Sequence, residues 1–184
     1  MGDAVHTNIY WITGPWKGRL GIASHPRGGE RLSPELESWR DEGANALVSL
    51  LTPEEIKELA LDEEATIAAG FQFNVLSFPI TDRSVPKSGE AFETCMGEVA
   101  ALLDGGHHVV VHCRQGIGRS GLVASCLLTR EGIAADHAIE RVQRARGMFV
   151  PDTEEQRHWI REHAHQRRLL VLKSSAENHH IASK

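Results

Sequence analysis

Residues 109–130 read VVVHCRQGIGRSGLVASCLLTR. The three leading valines are typical of a central strand that is covered on both faces. Apolar residues then recur at helical spacing, which predicts a helix over residues 118–130. Two glycines, Gly116 and Gly118, lie in the short loop between the strand and the helix. Ligands of α/β proteins bind outside the carboxyl ends of the strands, so this loop is the first place to look for chemistry.

The rest of the chain alternates short strands with helices. Strands come early and helices dominate late, which predicts a single α/β domain with a central, partly parallel sheet and helices on both faces. We assign residues 1–172 to this domain and predict a flexible tail over residues 173–184, which are polar and lack periodicity. The predicted strands cover residues 9–12, 20–23, 46–51, 74–78 and 108–112, and the predicted helices begin at or near Ser33, Thr52, Asp62, Ser88, Gly118, Asp136 and Asp152. Ser33 is predicted to cap its helix, and Thr52 and Glu55 fit a capping box.

Length and composition restrict the function. A chain of 184 residues with 41% hydrophobic residues can fill one core, which excludes a disordered protein. Lys and Arg number 20 against 25 Asp and Glu, and a net charge of −5 disfavours nucleic-acid or membrane partners. Neither a membrane span nor a signal peptide is evident, and three cysteines are too few for a disulfide scaffold. We therefore expect a cytoplasmic protein.

The loop after the valine strand combines three features that attract a tetrahedral anion. Gly116 and Gly118 allow successive backbone N–H groups to point inward, and the following helix adds its free N–H groups and the positive end of its dipole. Arg119 can hold two oxygens of the anion at once. A cysteine beside a helix N-terminus and a cation also ionises more readily. The loop is therefore predicted to bind phosphate and to hold Cys113 at its floor as a nucleophile.

The segment from His112 to Gly121 resembles the His-Cys-x2-Gly-x2-Arg-Ser-Gly loop of the cysteine-based protein tyrosine phosphatases. Six matches in register should arise by chance on the order of once in a million chains. Weaker similarity extends from about Leu47 to Ile160, and the short chain is most similar to the compact dual-specificity phosphatases. The resemblance implies hydrolysis of phosphotyrosine, and of phosphoserine or phosphothreonine, through a phosphocysteine. It implies no metal and no cofactor.

The resemblance also gives each loop residue a role. Cys113 is the nucleophile, and Arg119 clamps the transition state. The hydroxyl of Ser120 helps the sulfur leave in the second step. His112 holds the cysteine's loop by hydrogen bonding, and a satisfied buried histidine is the alternative. Phosphate binds to the loop residues, chiefly through their backbone N–H groups; these are Arg114, Gln115, Gly116, Ile117, Gly118 and Arg119.

Two further catalytic residues follow from the resemblance, each with an alternative. Asp82 matches the general acid in position, although the Trp-Pro-Asp triplet of the classical enzymes is absent and an ordinary turn residue is the alternative. Gln156 resembles the glutamine that positions the hydrolytic water, but Thr153-x-x-Gln156 also fits a helix capping box. The other aspartates that could serve as acid are expected to be helix caps, namely Asp62, Asp136 and Asp152.

Three functions compete at this point. The first is a phosphatase that acts on a phosphorylated protein or peptide. The second is a phosphatase of phosphoinositides or small phosphates, but lipid phosphatases of this family carry lysines in the loop, and here the variable positions hold Arg114, Gln115 and Ile117. The third is an inactive module that binds phosphorylated partners. The complete set of catalytic residues favours an active enzyme.

Several other polar and thiol side chains are expected to be structural. Cys95 and Cys126 fall on apolar helix faces and are interpreted as small hydrophobic residues. The histidines of the last helix are spaced by five and two residues, which favours a solvated face over a metal site. A solvated surface is also predicted for the arginines of the preceding helix. These residues are His158, His163, His165, Arg141, Arg144 and Arg146.

Overall fold

The computed structural model describes residues 7–181, with side chains as far as Lys173. Within this range it contains five strands and seven α-helices. The strands are β1 (Tyr10–Ile12), β2 (Leu20–Ser24), β3 (Ala46–Ser49), β4 (Asn74–Ser77) and β5 (Val109–Cys113). The helices are α1 (Leu32–Asp41), α2 (Pro53–Glu58), α3 (Glu64–Gly70), α4 (Gly89–Asp104), α5 (Gly118–Arg130), α6 (Ala135–Arg146) and α7 (Glu154–Ile181).

The strands form one mixed sheet in the order β1-β2-β5-β3-β4. β2, β5, β3 and β4 are parallel, and β1 is antiparallel to β2 at one edge. β5 pairs on both sides, and all five of its residues are buried. The predicted α/β domain is thus confirmed, and the valine strand is its centre. Its last residue, Cys113, therefore lies in the middle of the carboxyl edge of the sheet.

Helices cover both faces of the sheet because the side chains of β5 alternate between them. Val109 and Val111 belong to a core cluster with α4, α5, α6 and α7. Val110 belongs to a second cluster with α1 and α3. All three valines have no exposed surface, and burial of such a side chain contributes about 1.5–3 kcal/mol. The two clusters together fix β5 and the loop that follows it.

The predicted capping box at the start of α2 is present. The Thr52 hydroxyl accepts a hydrogen bond from the Glu55 N–H (3.4 Å), and the Glu55 carboxylate accepts one from the Thr52 N–H (3.0 Å). Ser88 caps α4, since its hydroxyl accepts from the Ala91 N–H. Both helices begin where side-chain oxygens satisfy the first free N–H groups.

The caps predicted at Ser33, Asp62 and Asp136 are wrong. Their helices begin at Leu32, Glu64 and Ala135, and no side chain caps them. A 3-10 turn over Gly29–Arg31 leads directly into α1, so its first turn is formed before Ser33 is reached. The carboxylate of Asp136 instead pairs with Arg161 of α7 at 2.9 Å. Tertiary contacts and preceding turns thus replace the local caps.

The last helix is longer than the sequence indicated. The backbone of α7 is helical to Ile181, through most of the segment for which a flexible tail was predicted. The predicted boundary between the domain and its tail at residue 172 stays a prediction. None of the helices within residues 7–181 is long and apolar enough to cross a membrane.

Glu93 joins α4 to α5 and α7. Its carboxylate lies 2.7 Å from Nε2 of His163 and 2.8 Å from Nη1 of both Arg130 and Arg167. The prediction of a solvated face is wrong for His163, because its ring is stacked on Trp159 and only 9% of its side chain is exposed. Hydrogen bonding to His163 and the three nearby positive charges lower the pKa of Glu93 to about 2, against burial, which raises it.

Glu93→Gln should destabilise the protein at pH 7 and much less at pH 3. A carboxylate with a folded pKa of about 2 and an ordinary value of 4.5 stabilises the fold above pH 4.5, and this contribution disappears as the pH falls toward 2. A third of the side chain is exposed, so we expect a loss of only about 1–2 kcal/mol. Urea unfolding at the two pH values measures it, with exposed Glu90→Gln as the control. Equal losses at both pH values would contradict the ion-pair account.

Candidate active site

The loop after Cys113 turns its carbonyl oxygens outward. Three consecutive carbonyls, from Arg114 to Gly116, are held from outside. The His25 N–H donates to the first at 3.4 Å, and the Arg146 guanidinium donates to the other two at 3.4 and 3.0 Å. In a trans peptide the next N–H points away from the carbonyl. The N–H groups of residues 115–117 therefore face the inside of the loop and form an anion-binding cup.

Close packing explains the glycines of the loop. Gly116 has a φ of +65°, and a Cβ on it would lie 2.5 Å from the carbonyl carbon of Ala23 in β2. A Cβ on Gly118 would lie 2.4 Å from Oδ1 of Asp152 and 3.0 Å from Oε1 of Gln156. A larger residue at position 116 would meet backbone and push the loop away from β2, whereas one at position 118 would displace the side chains of Asp152 and Gln156.

The sulfur of Cys113 lies at the start of this loop, beside the first turn of α5. Cys113 ends β5 and is 3% exposed, and its Sγ is 3.4 Å from Oγ of Ser120 in the first turn of α5. The N-terminus of α5, which begins at Gly118, lies beside the same loop. The thiol is therefore next to a hydroxyl that can donate a hydrogen bond to it and to the positive end of a helix dipole.

Arg119 places a buried guanidinium in the site. Its Nη1 and Nη2 donate to the two carboxylate oxygens of Glu55 at 2.7 and 2.8 Å. Nη1 also donates to the carbonyl of Ile80 at 2.8 Å, and Nη2 lies 2.9 Å from Oδ1 of Asp82. Nε is buried and has no hydrogen-bond partner among the residues that the structure describes. Because a buried, unpaired N–H is costly, Nε is the donor that a bound anion would satisfy.

Glu55 is a site residue that the sequence indicated only as a helix cap. Its carboxylate accepts from both Thr52 and Arg119, so one side chain performs two tasks. Burial opposes its charged form, but hydrogen bonding to Arg119 lowers the pKa of Glu55 overall. The available signal was its position: α2 follows β3, and the carboxyl ends of parallel strands share one edge of the sheet.

Asp82 and its neighbours form a loop that is fastened to the site at three points. The Asp82 carboxylate contacts Arg119, although 56% of its side chain is exposed. Nη1 of Arg83 lies 3.2 Å from Oδ2 of Asp152, and Ser84 accepts a hydrogen bond from Gln156. The helix cap expected at Asp152 is instead provided by Thr153, whose hydroxyl accepts from the Gln156 N–H at 3.1 Å. We call residues 81–85 the acid loop.

The position of Gln156 is compatible with both of its predicted roles, in the helix cap and in positioning the hydrolytic water. Its backbone N–H takes part in the cap at Thr153, but its side chain does not return to complete a capping box. Nε2 donates to the carbonyl of Ser84 at 3.0 Å instead. Oε1 is buried beside Gly118 and has no partner within the described part of the chain. The amide is thus available to a group bound in the cup.

The imidazole of His112 does not hydrogen-bond to the loop. Nε2 lies 3.1 Å from Oε1 of Glu64 in α3, and the ring packs beside Trp39, so the partner of His112 comes from the opposite face of the sheet. At the rim, the Arg114 guanidinium pairs with Glu58 at 2.5 and 3.0 Å. Neither carboxylate was singled out by the sequence.

The prediction of a solvated surface is wrong for Arg146. Its guanidinium holds the loop carbonyls and lies 4.1 Å above the ring of Tyr10.

The cysteines Cys95 and Cys126 are buried and free, and burial raises the pKa of Cys95 to about 11. Across the described residues, no group of His, Cys, Asp and Glu side chains is arranged to hold a metal ion.

Comparison with known proteins agrees with this geometry. The sequence model of the family described as "Polymorphic toxin system, DSP-PTPase phosphatase" matches residues 21–133, from β2 to the end of α5. Cyclin-dependent kinase inhibitor 3 of Rattus norvegicus is 35% identical over 86 residues, which are 46% of this chain and 40% of the rat protein. The chain spans less than half the length of the curated relatives it matches.

Two solved structures share the fold. Kinase associated phosphatase, with its catalytic-site cysteine replaced by serine, is similar at a TM-score of 0.80 and 20% identity, over 87% of this chain and 95% of that chain. Tk-PTP in its active form is similar at a TM-score of 0.66 and 28% identity, over 80% and 92%. With more than half of its length matched by the family model, the chain belongs to the DSP-PTPase phosphatase family of polymorphic toxin systems.

Proposed function

We propose that this protein is a phosphoprotein phosphatase that hydrolyses phosphotyrosine, and at the same site phosphoserine and phosphothreonine, through a phosphocysteine. One observation carries the proposal. A buried guanidinium, held by Glu55, keeps its Nε unpaired, and the buried Cys113 sulfur lies at the start of the same loop. A tetrahedral dianion satisfies both the Nε donor and the inward N–H groups of the loop, and it brings phosphorus to the sulfur.

In the first step, the Cys113 thiolate attacks phosphorus and an S–P bond forms. The P–O bond to the tyrosine oxygen breaks, and protonated Asp82 donates its proton to that oxygen. Charge that develops on the phosphoryl oxygens is stabilised by Arg119 and the N–H groups of the cup. Every participant comes from the carboxyl edge of the sheet, so the nucleophile, the clamp and the acid lie close together before substrate binds.

Substrate binding also frees the acid. In the structure the Asp82 carboxylate contacts Nη2 of Arg119. A bound phosphate brings two negative charges to the same guanidinium, and these compete with Asp82 for it. Because 56% of the Asp82 side chain is exposed, it can turn toward the leaving oxygen without disturbing the core. The ion pair with Arg119 is thus a resting contact that phosphate replaces.

In the second step, water attacks phosphorus and Asp82 takes up its proton. The S–P bond breaks, phosphate leaves, and the Ser120 hydroxyl stabilises the departing thiolate from 3.4 Å. Gln156 accepts a hydrogen bond from this water through Oε1, which no described residue occupies. The backbone role of Gln156 in the helix cap and this role of its amide are compatible.

The rim favours a protein substrate over a phosphoinositide. The loop contains no lysine, and its one rim cation, Arg114, is paired with the carboxylate of Glu58. Extra phosphates on an inositol ring would meet this carboxylate rather than a free positive charge.

The three cysteines are free, which agrees with the reducing cytoplasm as the place of action.

Cys113→Ser should abolish hydrolysis of a phosphotyrosine peptide measured with a chelator present, and should retain binding of that peptide. The serine hydroxyl is a poor nucleophile at neutral pH, while the cup is unchanged. Phosphate release measures turnover, and fluorescence anisotropy measures binding. Cys95→Ser, which changes a buried thiol outside the site, serves as the control.

Two outcomes would contradict this assignment. Normal turnover by Cys113→Ser would refute the nucleophile. A phosphoinositide hydrolysed with a higher kcat/KM than phosphotyrosine and phosphothreonine peptides would replace the phosphoprotein substrate with a lipid one.

Asp82→Asn should flatten the pH dependence of kcat for phenyl phosphate and slow it by about 10²–10⁴-fold. A poor leaving group needs the proton, whereas p-nitrophenyl phosphate should be affected much less. Asp62→Asn, an exposed aspartate away from the site, is the control. The acid would be another residue if the profile were unchanged, or if Asp152→Asn rather than Asp82→Asn produced the loss.

Gln156→Ala should leave the first burst of product intact and slow the later turnovers by about 10–100-fold, because the attacking water is no longer oriented. Rapid-mixing kinetics separates the two phases. Thr153→Ala is the matched variant, since it removes the cap at a cost of about 1 kcal/mol without touching the amide. If both variants lower only the melting temperature, Gln156 is a structural residue.

A further inference from the structure

We propose that the sheet edge at β4 and the neighbouring helix α4 form a docking groove for an extended, basic segment of the phosphoprotein substrate. This rests on the proposed function, because the occupant is part of the molecule that carries the phosphate. The edge groove, as we call it, is lined chiefly by residues 74–78 and by one side of α4.

The backbone of β4 offers unused hydrogen-bonding groups. Asn74 donates to the carbonyl of Asn45, and Phe78 donates to that of Ser49, so the even-numbered residues of β4 face β3. In a parallel ladder the alternate residues face the other way, which directs the N–H and C=O groups of Val75 and Ser77 outward. Within the described residues the sheet ends at this strand. An added strand can form up to four hydrogen bonds here.

The two edges of the sheet differ in whether a helix covers them. At the opposite edge, α6 packs over β1, and Arg141 of α6 donates to the carbonyl of Thr13 at 3.1 Å. Natural proteins commonly cover or charge an edge strand to prevent unwanted pairing. This chain covers one edge with a helix and leaves a groove along the other.

Two adjoining cavities make up the groove. One has a volume of about 530 Å³ and the other about 450 Å³, and they share Leu76 and Glu98 as lining residues. Phe78 and Leu102 add apolar surface, one to each cavity. The groove therefore follows the whole of β4 and can take both a backbone and apolar side chains.

The charge of the groove determines which segment fits. Glu90 and Glu98 of α4 line it, and neither forms an ion pair with a described residue. They are eight residues apart, which is about 12 Å along a helix, and an extended chain covers that distance in about four residues. Basic residues at positions i and i+4 of a strand also point to the same side. The groove thus fits two basic residues that flank an apolar one at i+2.

The position of the groove links it to catalysis. A segment paired with β4 lies three strand spacings from β5, or about 14 Å from the line of Cys113. At about 3.3 Å per extended residue, at least five residues must separate the docking segment from the phosphorylated residue. Pairing of two copies of this chain would bring four like-charged carboxylates together, so a second copy is disfavoured as the occupant.

The test uses phosphotyrosine peptides that carry a docking arm, Lys-Thr-Val-Thr-Lys, joined by eight Gly/Ser residues on either side of the phosphotyrosine. Compared with a Glu-Thr-Val-Thr-Glu arm, we expect a kcat/KM about tenfold higher, through KM and with kcat unchanged, because docking raises the effective concentration of the phosphate. A two-residue linker cannot reach and should remove the advantage. The arm alone, labelled with fluorescein, should bind in an anisotropy titration at low salt.

Glu98→Lys should abolish both effects, whereas Glu140→Lys, the same charge change on exposed α6, should preserve them. Val75→Pro removes an outward N–H and should also abolish them, with circular dichroism to verify its fold. Equal kcat/KM for the two arms, or equal loss in both lysine variants, would overturn the proposal. So would a wild-type dimer in light scattering that Val75→Pro dissociates.

The experiments test the proposed function and the docking proposal independently of each other. Hydrolysis of a phosphotyrosine peptide without an arm depends only on the proposed function. Binding of the labelled arm depends only on the edge groove, so it decides the docking proposal even if no phosphopeptide is hydrolysed.

Discussion

The site depends on one buried ion pair, in which both terminal nitrogens of Arg119 donate to the carboxylate of Glu55. A buried guanidinium without a partner would cost several kcal/mol, and breaking such a pair costs about 3–5 kcal/mol. The carboxylate is fixed in turn by the N–H of Thr52 at the start of α2. Glu55, Ile80 and Asp82 hold the two terminal nitrogens, whereas Nε has no hydrogen-bond partner among the described residues. The pair thus aims the guanidinium as well as stabilising it.

Contacts from outside the loop hold the cup in shape in a similar way. Arg146 holds two of the loop carbonyls, and contact with β2 leaves room only for glycine at position 116. A binding loop with three consecutive carbonyls held from outside presents its inward N–H groups without rearrangement, which is what preorganised binding requires. The acid loop differs, since Asp82 is more than half exposed, and in the proposed mechanism phosphate replaces its contact with Arg119.

The topology of the sheet brings these parts together. Glu55 follows β3, Asp82 follows β4 and Cys113 ends β5, and these parallel strands are neighbours in the sheet. Their carboxyl ends share one edge, where α/β proteins collect functional side chains. The same topology makes β4 an edge strand of the sheet. The acid loop follows β4 along the chain, so it is continuous with the edge groove. The proposed docking along β4 and the proposed chemistry at β5 therefore belong to one surface.

The sequence by itself determined the α/β fold, the central strand, the body of each helix and the loop with Cys113 and Arg119, because these depend on local periodicity and on residue types at fixed spacing. Only the tertiary structure decided the partners of buried charges. Glu55, Arg146 and Glu64 meet their partners across 64, 30 and 48 residues of chain, and local patterns carry no information about such distances. The caps predicted at Asp62 and Asp136 failed for the related reason that a helix end in a packed protein can be satisfied by turns and distant side chains.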